Sequence, residues 1–271
     1  MITIKKKCFS IGQICESGQC FRLTRTGEGR YELIALGNRL VIEEEGESVR
    51  LFCSEDVFAD RWRAYFDLDT SYEEVLSRID PDDGFLVRAA RFGGGIRILK
   101  QDVWEMIITF ILSQQNNIPR IRRLVRTVCE HYGEAKKDRD GTAYYAFPTA
   151  EALAKASEEE LRSLKMGYRS RYIRETAASI AAGEVDLEGI KSLSYEEARR
   201  ELLTLSGIGQ KVADCICLFG LHHLAAFPMD THILQILKRE YPDGFPFARY
   251  RDCAGIMQQY LFYYEVNLKK E

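Results

Sequence analysis

The chain is 271 residues long, 46% hydrophobic and 29% charged, with a formal net charge of −3. Those values describe a globular protein with ample core, in one large domain or a few small ones, and exclude a fibrous, disordered or small disulfide-stapled chain. No apolar run approaches the length of a membrane span, and the N-terminus MITIKKKCFS lacks the apolar stretch of a signal peptide, so no membrane partner is expected.

Residues 1 to about 60 read as strands. Alternating runs such as Tyr31–Leu36 and Arg39–Ile42 are separated by Gly27, Gly29, Gly37 and Gly46, and an antiparallel sheet is the simplest outcome. Embedded in that stretch is Ser17-Gly18-Gln19-Cys20-Phe21-Arg22, where Gly18 taken alone is a turn or bulge glycine. From Val57 the pattern turns helical, through FADRWRAYF, SYEEVLSRI and DPDDGFLVRAARF. Gly93-Gly94-Gly95 marks a break, which divides the chain into a β-rich part over 1–92 and a helical part over 93–271. The apolar run Ile96–Ser113 predicts one long buried central helix. It ends in Gln114-Gln115-Asn116-Asn117, amides suited to a polar surface rather than a core, followed by Arg120. Residues 134–146 read as a surface excursion, and Thr149–Leu164 as a helix carrying a complete capping box at Ser157–Glu160. Next come Gly167-Tyr168-Arg169-Ser170-Arg171-Tyr172, an aromatic set among arginines. Such a mixture suits a nucleic-acid surface, although a Tyr packed in a helical seam is the plainer reading of Tyr172.

Leu205–His232 holds the densest chemistry. Ser206-Gly207-Ile208-Gly209-Gln210 is a tight turn between two apolar-periodic segments, and its glycines allow close approach of main-chain N–H groups to an anion such as a phosphate. Lys211 falls in the first turn of the following helix, where the dipole disfavours a cation. Asp230 lies beyond the Phe227-Pro228 break, with His232 two residues on. Each has a bland reading: the hairpin as a non-catalytic DNA-binding turn, Lys211 as a solvated charge, Asp230 as the cap of the helix it precedes. Their order and spacing favour a reactive site. Arg249–Leu268 predicts an amphipathic helix with Gln258 and Phe262 on one face.

Charge is unevenly spread. Arg120–Arg126 and Arg162–Arg174 contain basic residues and no acids, whereas Asp67–Asp83 holds seven acids against Arg78 alone. A basic centre facing DNA and an acidic flank turned away fits this better than the weak net charge does. The eight cysteines form no CxxC pair, which suits a reducing, intracellular setting: cytoplasmic and associated with the nucleoid, or nuclear in a eukaryote.

The motifs SGQCFR, SQQNNIPR, GYRSRY, LSGIGQKVADCICL with FPMDTH, and AGIMQQYLF stand in an order that resembles the 8-oxoguanine DNA glycosylase/lyase branch of the helix-hairpin-helix (HhH-GPD) DNA glycosylases, over essentially the whole chain. The resemblance implies an α+β protein, an antiparallel sheet followed by a helical core whose two lobes hold the active site between them. It implies Lys211 as Schiff-base nucleophile and Asp230 as its carboxylate partner. Gly18 becomes the residue whose carbonyl meets the damaged base, Gln258 the reader of that base's Watson–Crick edge, and Phe262 and Cys215 the two sides of a sandwich around it. Gln115, Asn116 and Arg120 enter the duplex or read the orphaned cytosine, Tyr168 is a wedge, Arg169 a second donor to that cytosine, and Gly207, Gly209 and His232 complete the DNA-binding set. Gln115 stands where characterised eukaryotic members have Asn. The partner implied is duplex DNA containing oxidised guanine, bound by a monomer with no cofactor or metal; some relatives carry a cysteine-ligated iron–sulfur cluster after the catalytic Asp, but only Cys253 follows Asp230 here. Three rivals remain at this point. An alkylated-base or mismatched-adenine glycosylase keeps the hairpin and Asp230 without needing Lys211, Gly18 or Phe262, a DNA-binding module needs only Gly207 and Gly209, and a structural protein needs none of the polar motifs.

Overall fold

Strands β1 (Ile2–Lys5), β2 (Leu23–Gly27), β3 (Arg30–Ala35), β4 (Asn38–Glu45) and β5 (Ser48–Leu51) form an antiparallel sheet ordered β1-β5-β4-β3-β2, in a computed structural model that describes residues 1–268. Period-two alternation turns Tyr31, Leu33, Ala35, Leu40, Ile42, Val49 and Leu51 to the buried face. The β3–β4 turn is Leu36-Gly37, both left-handed at φ 51° and 70°, as a two-residue hairpin of this twist requires.

The region between β1 and β2 is not strand. Helix α1 (Ile11–Glu16), capped by Ser10, lays Ile11, Ile14 and Cys15 across the sheet's buried face, so the Ser17–Arg22 motif leaves a helix end instead of lying in the sheet. At six residues α1 is too short to show helical periodicity. After β5 the chain runs through α2 (Glu55–Val57), a π-helical turn (Phe58–Trp62) and α3 (Arg63–Tyr65), which close the sheet's core with Trp62, Tyr65 and Phe66. Helices α4 (Tyr72–Ser77) and α5 (Gly84–Gly93) bury Tyr72, Val75, Phe85 and Leu86 in a separate helical core, whereas Leu99 packs with the sheet, so side chains from the two sides of residue 92 interdigitate.

The expected helix over 96–113 is shorter. Helix α6 (Val103–Ser113) starts at the Asp102 cap, and residues 96–101 are in neither helix nor strand. Their main chain is bound sideways: Ile98 N–H donates to Tyr72 Oη (2.8 Å), Leu99 N–H to Gln19 Oε1 (2.9 Å), Lys100 N–H to the Tyr65 carbonyl (2.9 Å) and Gln101 N–H to the Phe219 carbonyl (3.2 Å). Apolar content is blind to that competition for N–H groups.

Helix α7 (Ile118–Tyr132) is followed by the hairpin β6 (Ala135–Lys137) and β7 (Ala143–Tyr145); the surface excursion is thus ordered, tied to the sheet by Arg39 at 3.1 Å from Asp138 and 3.0 Å from Asp140. The helix expected over 149–164 is two, α8 (Ala150–Ala154) and α9 (Glu158–Ser163), because Ser157 caps the second with both arms of its capping box. Then follow α10 (Arg169–Ala181), a 3-10 turn (Gly189–Ser192), α11 (Tyr195–Leu202), α12 (Gln210–Phe219), α13 (Thr231–Glu240), α14 (Phe247–Tyr250) and α15 (Ala254–Leu268). Helix α15 begins five residues later than expected, and every residue from Ala254 to Leu261 is buried. It is the hub of the helical layer, not an amphipathic surface helix. A buried ion pair joins the layers: Arg22 lies 3.5 Å from Glu105, whose carboxyl is pushed up to about 7 by burial, with Arg22 opposing that shift. Among the described residues, no helix is long and apolar enough to cross a membrane.

Candidate active site and DNA-facing surface

Helices α11 and α12 are joined by the glycine turn, and its two glycines do different work. Gly207 has φ +78° and lies under Tyr172, so that an added Cβ would overlap the ring. Gly209 is extended, with nothing within 4 Å of where a Cβ would stand. It caps α12 with no side chain, so the first amides of that helix keep an open approach for an anion. The turn is tied down from behind: Gln114 Nε2 donates to the Gly207 carbonyl (2.8 Å) and Thr176 Oγ1 to the Ser206 carbonyl (2.9 Å).

In the first turn of α12 stands Lys211 and, four residues on, the buried Cys215. Lys211 Nζ sits 5.5 Å from the centre of the Phe110 ring on α6, and that ring stacks on Phe219 at 5.5 Å. Lys211 and Cys215 line the same cavity; burial raises the Cys215 thiol above its ordinary value, and the neighbouring Lys211 partly offsets this. Asp230 is the cap of α13, its Oδ1 accepting from Ile233 N–H at 2.8 Å. The bland reading of Asp230 therefore holds, and the same carboxylate also faces the cavity that Lys211 lines. From α15, Gln258 Nε2 donates to the Pro228 carbonyl (3.1 Å), and Phe262 meets His232 edge-on at 5.8 Å. Gly18 closes the last side at φ +76°, where a Cβ would stand 3.3 Å from Phe262 Cε1.

Gly18, Lys211, Cys215, Asp230, Gln258 and Phe262 thus line one cavity of about 50 Å³, together with Phe110, Pro228 and Gln259. It is a narrow space, open on one side to solvent. A larger cavity of about 290 Å³ lies elsewhere, lined by Arg22, Arg122, Glu130 and Tyr144. Lys211, Asp230 and the Phe262 ring meet in the smaller one, which is why it, and not the roomier space, is the candidate site.

The surface residues fall into two groups. Gln115 is exposed, with φ 50°, a left-handed backbone rare for a side chain of this kind. Arg120 is exposed on the first turn of α7, and Tyr168 is 40% exposed. These three project outward. Arg169 and Asn116 are turned inward. Arg169 is only 4% exposed and its fork donates to the carbonyls of Gln114 and Met166, with its guanidinium 4.5 Å from the Tyr168 ring. Asn116 Nδ2 donates to the Leu112 carbonyl. His232 Nδ1 is buried without a hydrogen-bond partner.

Residue-by-residue reading of the sequence passed over several parts of the site. Gln19 is fully buried, with Nε2 donating to Ser17 Oγ and the Arg97 carbonyl and Oε1 accepting from Leu99, so it sets the path on which Gly18 is presented. Phe110 carried no motif signal, and Gln259 stood inside AGIMQQYLF with no role assigned to it; the cavity they line picks both out.

Comparison with known proteins bears on all of this. Residues 1–107 match the family model for the N-terminal domain of 8-oxoguanine DNA glycosylase, and 108–243 that for the HhH-GPD superfamily base excision DNA repair proteins. The N-glycosylase/DNA lyase of Saccharomyces cerevisiae is 34% identical over 271 residues, covering 89% of this chain and 70% of that protein. An Arabidopsis thaliana N-glycosylase/DNA lyase is 35% identical over 238 residues, 81% of this chain and 63% of the relative, so the chain spans less than two thirds of that protein. The structure of the Clostridium acetobutylicum 8-oxoguanine glycosylase/lyase bound to duplex DNA superposes with a TM-score of 0.91 at 36% identity, over 97% of this chain and 93% of the other. An Archaeoglobus fulgidus 3-methyladenine DNA glycosylase shares the fold, at a TM-score of 0.78 and 22% identity. The chain belongs to the HhH-GPD superfamily of base excision DNA repair proteins, in its 8-oxoguanine DNA glycosylase/lyase branch.

Proposed function

We propose that this chain excises 8-oxoguanine opposite cytosine from duplex DNA and nicks the strand through an imine on Lys211. The observation that carries the reading is the convergence, in one cavity, of residues as far apart in sequence as Gly18, Lys211, Asp230 and Phe262. The Clostridium relative is described with duplex DNA containing cytosine opposite 8-oxoguanine, which is the substrate assigned here.

A base inside a duplex is unreachable, so the nucleotide flips out at a cost of roughly a few kcal/mol. The amide N–H groups at the start of α12 hold the strand by a phosphate, while Gln115, Tyr168 and Arg120 occupy the duplex side of the gap, with the arginine donating to the acceptor edge of the orphaned cytosine. Arg169, anchored on Gln114, supports the turn that presents Gln115. In the cavity the base slides between Cys215 and Phe262, with Gly18 and Gln258 at its edges and His232 backing Phe262. The amine of Lys211, in its base form, attacks C1′ as the C1′–N9 bond breaks and the base leaves with the bonding electrons. Asp230 stabilises the cationic sugar that develops. Loss of the ring oxygen's bond to C1′ yields the imine, which acidifies the C2′ protons. Removal of one expels the 3′ phosphate and cuts the strand. The protein acts as a monomer wherever the cell's DNA is held. Borohydride reduction during reaction with an 8-oxoguanine duplex tests the proposal: a covalent protein–DNA adduct is expected, and its absence with intact DNA binding overturns it.

A further inference from the structure

Beside Gln258 on α15 stands a second buried glutamine, and its hydrogen bonds run in one direction. Gln258 Nε2 donates to the Pro228 carbonyl (3.1 Å), and Gln259 Nε2 donates to Gln258 Oε1 (3.2 Å). The relay ends at Gln259 Oε1, which is buried and has no partner. Both residues line the cavity, at 4% and 3% exposure. Turning the Gln259 amide over does not relieve the orphan. It would set Gln259 Oε1 against Gln258 Oε1, and turning both would set Gln258 Oε1 against the Pro228 carbonyl. A main-chain oxygen cannot become a donor, so Pro228 dictates the polarity of the whole relay. Buried carbonyls without a donor are uncommon and call for a reason.

Resting on the proposed function, we infer that Gln259 is a further specificity-determining residue, its Oε1 accepting from the 2-amino group of a guanine-type base. Pro228 O, Gln258 Oε1 and Gln259 Oε1 follow one another along the relay as acceptors, and the last of them is unmet. A guanine-type edge offers N–H donors in succession, at N1 and at the 2-amino group. Hypoxanthine keeps the N1 donor and lacks the amino group; adenine presents an acceptor at N1. The base going in uncovers the orphan oxygen and supplies its donor in the same motion. A base without the amino group uncovers the oxygen and leaves it unpaired.

The test compares single-turnover excision of 8-oxoguanine and 8-oxohypoxanthine, each opposite cytosine in the same duplex, by the wild-type protein and by Gln259→Leu. The difference in duplex opening between the two bases is common to both proteins and cancels in the ratio of ratios. Loss of the acceptor should lower the preference for 8-oxoguanine over 8-oxohypoxanthine by about tenfold or more, as expected for a site built to pair a polar group on its substrate. Measurable excision of 8-oxohypoxanthine shows that the variant is folded; if it is not, Gln259→Asn, which withdraws the amide by one methylene, should give the same change. A ratio within about twofold of wild type in a folded variant overturns the inference and leaves the proposed function standing. Failure of the wild-type protein to excise 8-oxoguanine at all overturns both.

Discussion

Asp230 holds two posts that a pair of substitutions separates. Its Oδ1 caps α13 through Ile233 N–H at 2.8 Å, and its carboxylate borders the cavity. Asparagine is as good a cap as aspartate, so Asp230→Asn should keep the Ile233 bond and lose only the charge–dipole attraction, about 0.3–1 kcal/mol. Asp230→Ala loses the cap itself, about 1 kcal/mol, which in a chain of this size lowers Tm by roughly 2–4 °C. Catalysis ranks them differently. Neither variant carries the negative charge that answers the cationic sugar, and both should slow base release by about 10²–10³-fold or more. The assay is single-turnover release of 8-oxoguanine alongside thermal melting. Excision by Asp230→Asn within about threefold of wild type would show that Asp230 is a cap and nothing else, and the mechanism proposed above would fail with it.

Lys211→Gln should abolish base release, nicking and borohydride trapping while lesion-DNA binding, measured by gel shift, persists, since Gly207 and Gly209 are untouched. Arg120→Ala should reduce the preference for cytosine over adenine opposite the lesion, read from excision rates on the two duplexes; unchanged preference would move recognition of the orphaned base elsewhere. Gly18→Ala forces a left-handed backbone, at roughly 1–2 kcal/mol, and presses a Cβ against Phe262, so the ratio of 8-oxoguanine to guanine excision should fall. Burial lifts the Glu105 carboxyl to about 7, above its usual range near 4.5, so folding takes up a proton between those values and stability should decline as pH rises through them; melting at pH 5 and pH 8 should show a drop that Glu105→Gln reduces.

The strands were legible because half-buried sheets impose period two on Tyr31–Leu36 and Arg39–Ile42, and the hairpin because Gly207 takes a left-handed turn under Tyr172 that few other residues can make. What escaped was decided by contacts distant in sequence. Nothing local marks residues 96–101 as non-helical, since the groups that take their N–H bonds are Gln19, Tyr65, Tyr72 and Phe219. Arg169 reads as a surface arginine among arginines until the carbonyl of Gln114, 55 residues away, is seen to hold it. Gln259 looked like the unremarkable neighbour of Gln258, because a hydrogen bond's direction is a property of the relay and not of the pair's letters.

Gln114 binds the glycine hairpin with its side chain and Arg169 with its carbonyl, and it immediately precedes the left-handed Gln115. The side chain proposed to enter the duplex, the tyrosine stacked on Arg169 and the hairpin proposed to hold the backbone are therefore mounted on a single bracket. Parts joined through one residue are expected to shift together, so a substitution of Gln114 should disturb the hairpin and the Gln115 turn at once rather than either alone.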